Sequence, residues 1–122
     1  MPYVQLIFER KRQFKDKQMQ SLAESLPLIV SKALSGKTDE ETIKQVKVCV
    51  TIPDISVNTV PVVIFIAIPK NKDRDDHVLG KFVQDVACEL ASVRKELFPE
   101  LKETDFFIEA SLLSSEFTYT DN

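Results

Sequence analysis

Few residues in this 122-residue chain are of types that do chemistry, and their spacing closes several possibilities at once. The two glycines, Gly36 and Gly80, cannot build a glycine-rich phosphate cradle, so neither a dinucleotide fingerprint nor a P-loop is available. A single histidine, His77, and two distant cysteines, Cys49 and Cys88, do not match the common zinc constellations. His77 has no evident nucleophile to serve. Asp73, Asp75 and Asp76 place carboxylates close together, but without calcium-loop spacing or its glycine; with Lys72 and Arg74 they read as a charge cluster opening a helix. From Arg10 to Lys17 five cations accompany one acid, which would suit a phosphate backbone. The net charge of −3 argues against that use, and no nucleic-acid partner is expected. No metal or cofactor is expected either.

The elements that must position these residues follow from hydrophobic period. Val4, Leu6 and Phe8 alternate with polar or smaller neighbours, as a strand does. From Asp16 the period lengthens: Met19, Leu22, Ala23, Leu26, Val30, Ala33 and Leu34 define an amphipathic helix that stops at Gly36, with a kink expected at Pro27. Thr38 to Glu41 has the form of a capping box before a short helical turn. Val46, Val48, Val50 and Ile52 give a second strand, and Val60 to Ile68 a third that is apolar on both faces. Asp75 or Asp76 opens a second long helix bearing Leu79, Phe82, Val83, Val86, Leu90, Val93 and Leu97, ended by Pro99. Phe106, Ile108, Ala110 and Leu112 form a fourth strand, and 114–122 reads as a polar tail.

The order is βαβ twice. An offset of 60 carries the first strand, first helix and second strand onto the third strand, second helix and fourth strand, and brings Arg10 and Arg12 onto Lys70 and Lys72. The expectation is one α+β domain over 1–122, with pseudo-repeats of about 2–53 and 60–113. Two tandem βαβ units then share one four-stranded mixed sheet with both helices on one face. The other face would carry Ile7, Cys49, Val63, Phe65, Ala67 and Phe107, too apolar to remain in water. A homo-oligomer is therefore expected, in preference to a ferredoxin-like monomer. The first residues do not resemble a secretory signal, and no apolar run spans a membrane. A cytoplasmic protein with reduced, buried thiols is the corresponding expectation.

Pro2 directly after Met1 at the head of a strand, a double βαβ of this length, and cations leaving the strand at Arg10 and Arg12 together resemble the tautomerase superfamily. That superfamily includes 4-oxalocrotonate tautomerase, 5-carboxymethyl-2-hydroxymuconate isomerase and macrophage migration inhibitory factor, and a bacterial branch of it is the expected place. The resemblance implies a tautomerase-like fold, a trimer, and a cofactor-independent tautomerase or isomerase acting on a small carboxylated keto–enol compound. Pro2, freed of Met1, would be the general base, its amine pKa lowered by burial and neighbouring cations. Arg12 holds the family's strand-exit position, and Lys47 resembles an arginine donated by a neighbouring subunit, with Phe107 as a pocket wall from that neighbour. A straight strand puts Arg12 roughly 25 Å or more from Pro2 of its own chain at ~3.3 Å per residue. With the first and third strands antiparallel, Lys70, Lys72 and Arg74 return to Pro2 instead. A non-enzymatic oligomeric module for ligand or protein binding on the same scaffold is the alternative.

Overall fold

The computed structural model describes residues 2–55, 59–70 and 76–113. The long-period segment becomes α1, Asp16–Ser35, which ends where Gly36 takes the left-handed conformation at φ 73° and its N–H bonds the Lys32 carbonyl at 2.9 Å. Gly36 suits that position because it has no Cβ to clash there. The helix runs unbroken past Pro27, although proline gives no N–H to the turn before it. The following short helix α2, Glu40–Ile43, is capped by Asp39 and not by Thr38. The Asp39 carboxylate accepts from the Thr42 N–H at 3.0 Å, one residue later than the sequence pattern placed the cap.

The strands are β1 (Tyr3–Phe8), β2 (Lys47–Thr51), β3 (Val62–Pro69) and β4 (Phe106–Leu113), with the helix α3 (Asp76–Leu97) between the last two. They form one mixed sheet in the order β2-β1-β3-β4. β1 and β3 are antiparallel at the centre, and each outer strand is parallel to its inner neighbour. The fold is the expected α+β arrangement of two βαβ passages. The registers of the halves repeat at sixty residues: Tyr3 faces Lys47 where Val63 faces Phe107.

Strand period 2 divides the sheet's faces. Val4, Leu6, Phe8, Val62, Ile64, Ile66 and Ile68 are essentially inaccessible beneath the helices. Leu22, Leu26 and Val30 of α1 and Phe82, Val86 and Leu90 of α3 complete this core. Across the helix pair, Gln18 Nε2 donates to the Leu97 carbonyl at 2.7 Å and Lys32 pairs with Glu89 at 2.9 Å. One end of the core is aromatic. Phe98, fully buried just beyond α3, packs against Phe8, Phe14 and Phe106 with ring centroids 5.5–6.3 Å apart. Its role was not evident from helical spacing, because it follows the helix it would have belonged to.

The opposite face carries Tyr3, Gln5 and Ile7 with Val63, Phe65 and Phe107 in register beside them. Phe65 and Phe107 meet edge to face at 6.3 Å, and both remain exposed in the single chain. The cysteines correct one expectation: Cys49 and Cys88 are both free and exposed, not buried. Cys49 sits on the uncovered face of an outer strand, and Cys88 lies in α3 on the far layer, so neither reaches the core.

Candidate functional site

Pro2 stands at the head of β1, the inner strand of the first half, and is half-buried. Its carbonyl accepts from the Lys47 N–H at 3.1 Å, fixing the start of β1 against the start of β2. On the other side, Tyr3 pairs with Ala67, so the C-terminal end of β3 arrives beside the same residue. Lys70 follows that strand end, its N–H bonded to the Leu113 carbonyl at 2.9 Å. The parallel β1–β2 pairing brings Lys47 to the Pro2 end and the antiparallel β1–β3 pairing brings Lys70, each with an exposed side chain.

Tyr3 adds a hydroxyl to that end. A hydrogen bond with the Cys49 thiol, followed by the charge interaction between the two groups, pushes its pKa above the ordinary phenol value. The hydroxyl can both donate and accept a hydrogen bond on the open face. No sequence signal pairs Tyr3 with Cys49, since their contact is diagonal across two strands.

The remaining candidates fall elsewhere. Arg12 lies in a single 3-10 turn, Arg10–Arg12, beyond the far end of β1, with its Nε 3.9 Å from Glu9 Oε1. Six strand residues separate that turn from Pro2, on the order of 20 Å of extended chain. Phe107 faces Val63 and Ile7, again at the end away from Pro2 of its own chain. Lys72 and Arg74 lie outside the described residues, as do Asp73, Asp75 and the 114–122 tail. Among the described residues no group of three or more His, Cys, Asp or Glu side chains could hold a metal ion. No described helix is long and apolar enough to cross a membrane.

At the far end stands a residue that sequence reading did not single out. Glu9 has a side chain only 4% exposed, and its Oε2 accepts from the Thr59 hydroxyl at 3.2 Å. Its N–H bonds the Pro61 carbonyl at 2.9 Å, tying the end of β1 to the approach of β3. The one signal available was its odd position in the strand alternation, which sends it to the open face. A cavity of about 500 Å3 is separate again, between α3 and the Phe106 end of β4. Arg94 at its wall is committed to the Leu101 carbonyl at 3.0 Å.

No protein-family model matches the chain, and no curated protein does. Solved structures do. A macrophage migration inhibitory factor-like protein from Entamoeba histolytica superposes with a TM-score of 0.66 at 8% identity, over 94% of this chain and 90% of that one. The fold is tautomerase-like. A fused 4-OT, described as a symmetric trimer, aligns over 92% of this chain and 85% of its own, with a TM-score of 0.59 at 8% identity. A malonate semialdehyde decarboxylase inhibited by 3-bromopropiolate aligns over 92% and 83%, with a TM-score of 0.57 at 13% identity. Within a tautomerase-like sheet, Pro2 opens the inner strand of the first half, and Val62 occupies the matching place in the second.

Proposed function

We propose that this chain is a cofactor-independent tautomerase or isomerase that uses Pro2 as its general base on a small carboxylated keto–enol substrate. The observation that carries the reading is the place of Pro2: head of an inner strand in a tautomerase-like sheet, flanked by the Lys47 and Lys70 ends of its two partner strands. With Met1 removed, Pro2 presents a secondary amine whose lone pair takes a proton from the carbon beside a carbonyl. The electron pair of that C–H bond moves into the carbonyl, giving a dienolate. Lys47, Lys70, Lys72 and Arg74 bind the carboxylate and offset the growing negative charge. Pro2 then returns the proton at a different carbon, so no net oxidation or hydration occurs. The amine must be largely unprotonated near neutral pH, which neighbouring cations and an apolar surround favour.

A trimer supplies what one chain does not. Arg12 and Phe107 lie at the other end of their own sheet, so in an oligomer they would serve a neighbour's Pro2. Three of the similar structures are described as trimers, and the exposed Phe65, Phe107 and Ile7 face is apolar enough to need covering. That same face favours a second reading, an oligomeric binding module without catalysis.

Titration of the Pro2 nitrogen by NMR, on protein whose intact mass shows the start at Pro2, separates the two. A pKa depressed below that of an ordinary prolyl amine is expected, with Pro2→Ala losing activity while light scattering still reports a trimer. Native protein that keeps Met1, or an amine with an ordinary pKa, leaves the binding module as the function.

A further inference from the structure

The cavity of about 500 Å3 between α3 and β4 lies on the helix side of the sheet, with β3 between it and the strand of Pro2. A neighbouring copy that covers the open face leaves it accessible. Leu90, Phe106 and Ile108 form an apolar floor, and the short side chains of Ala87 and Ala91 leave room beside it. Arg94, near the end of α3, and Glu103, in a 3-10 turn before β4, line the Phe106 end. That turn is held by Asp105, whose carboxylate accepts from the Lys102 N–H at 2.7 Å. Arg94 Nη1 donates to the Leu101 carbonyl at 3.0 Å, which fixes the guanidinium and leaves its other donors available. No ion pair joins Arg94 to Glu103 or ties either to another described residue.

The sixty-residue repeat shows what is unusual in this place. At the corresponding positions the first half has Leu34 and Ile43, the latter ending α2, and the strand residue that follows, Val46, is buried. In the second half Arg94 and Glu103 stand there instead, and Phe106 is only half-buried. Two opposite charges, not paired with each other, thus border an open apolar floor where the first half has apolar side chains. We propose that this cavity binds an α-amino acid with an apolar, ring-sized side chain. Its carboxylate accepts from Arg94, its ammonium donates to Glu103, and its side chain lies over Leu90, Phe106 and Ile108. A guanidinium already held in place suits a carboxylate, and bonds between charged partners are the stronger kind. The volume falls within the ~300–1,000 Å3 of small-molecule pockets. A ligand with one charge alone meets like charge, a simple acid at Glu103 and a simple amine at Arg94.

The test is titration calorimetry and amide NMR on the purified assembly, with L-phenylalanine, phenylpropionate and phenethylamine as probes. The last two each keep one of the amino acid's charges. L-Phenylalanine is expected to bind saturably and at least about tenfold more tightly than either analogue, shifting amides of α3 and of the start of β4. Glu103→Gln is expected to weaken L-phenylalanine about tenfold and to leave phenylpropionate no weaker. Arg94→Gln is expected to weaken it about tenfold and to leave phenethylamine no weaker. Glu103 is exposed, so its variant decides the matter if the Arg94 variant fails to fold. No saturable binding, an analogue as tight as L-phenylalanine, unchanged binding in Glu103→Gln, or amide shifts only at other elements would each overturn the proposal.

Discussion

The two ends of the central β1–β3 pair carry matching backbone and opposite chemistry. At one end Pro2 starts β1, with Lys47 and Lys70 on the adjoining strand ends and the Tyr3 phenol hydrogen-bonded with Cys49. At the other, Glu9 is buried under Thr59 while Arg10, Lys11 and Arg12 gather around carboxylates and carbonyls. Cations at the first end have exposed side chains able to meet a ligand, whereas those at the second are partly committed to the protein's own acids. The packing differs as well. Beneath Glu9 the core is a cluster of four phenylalanines, and beneath Pro2 it is aliphatic, built on Val4, Ile66 and Ile68. A repeated backbone thus fixes where strands end, while the side chains at each end decide whether the space there is reactive or structural.

The sharpest way to break that contrast is on activity. Pro2→Ala is expected to lower kcat/KM by about 10²-fold or more on a carboxylated enol substrate, the scale of general acid–base catalysis, with little change in unfolding midpoint. Equal losses of activity and stability would make Pro2 a structural residue like those at the other end. On stability the order reverses. Phe98→Ala should cost about 3–5 kcal/mol by urea unfolding, since it empties the centre of the aromatic cluster, against about 0.5–1.5 kcal/mol for Ile68→Val near Pro2. Thr59→Val removes the hydroxyl that Glu9 accepts and should cost about 1 kcal/mol, leaving turnover at Pro2 unchanged.

The smallest effect lies outside both ends. The hydroxyl and N–H of Thr42 hold the Asp39 carboxyl below its usual range. A depressed carboxylate pKa contributes stability above the unfolded value, and that contribution fades as pH falls through the folded one. Asp39→Asn should therefore lower Tm slightly near neutrality and converge on the parent at acid pH, which flattens the acid limb of a Tm-against-pH curve.

Much of this architecture is legible in the residues, for identifiable reasons. Val4, Leu6 and Phe8, and later Ile64, Ile66 and Ile68, must alternate because one face is covered by helices. The sixty-residue offset then anticipates which strand ends meet. Gly36 marks the end of α1 because the left-handed turn there suits a residue without a side chain. What stayed hidden depends on chain closure. Glu9 is a strand residue of the open face by period, and only the approach of Thr59 buries it. Phe98 lies past its helix, where periodicity gives no guidance. Cys49 and Cys88 lie on apolar elements, which reads as burial, yet each occupies an outward position on its element. Of the candidate cations, Lys47 and Lys70 follow from strand pairing, whereas Arg12 turns back to Glu9 three residues earlier because the chain leaves β1 in a 3-10 turn and not as extended strand.

The antiparallel β1–β3 seam has a consequence for how the chain is held together. Apart from the β2–β3 connection, what joins the halves is noncovalent and already extensive: six paired strand residues, the Gln18–Leu97 and Lys32–Glu89 links, and the phenylalanine cluster. The segment between β2 and β3 joins the halves covalently, raising the effective concentration of one near the other, while its Thr59 and Pro61 also bond Glu9. Two half-chains meeting at this seam would rebuild the same sheet at sufficient concentration. The second would then have a free amino terminus of its own, beside Glu9.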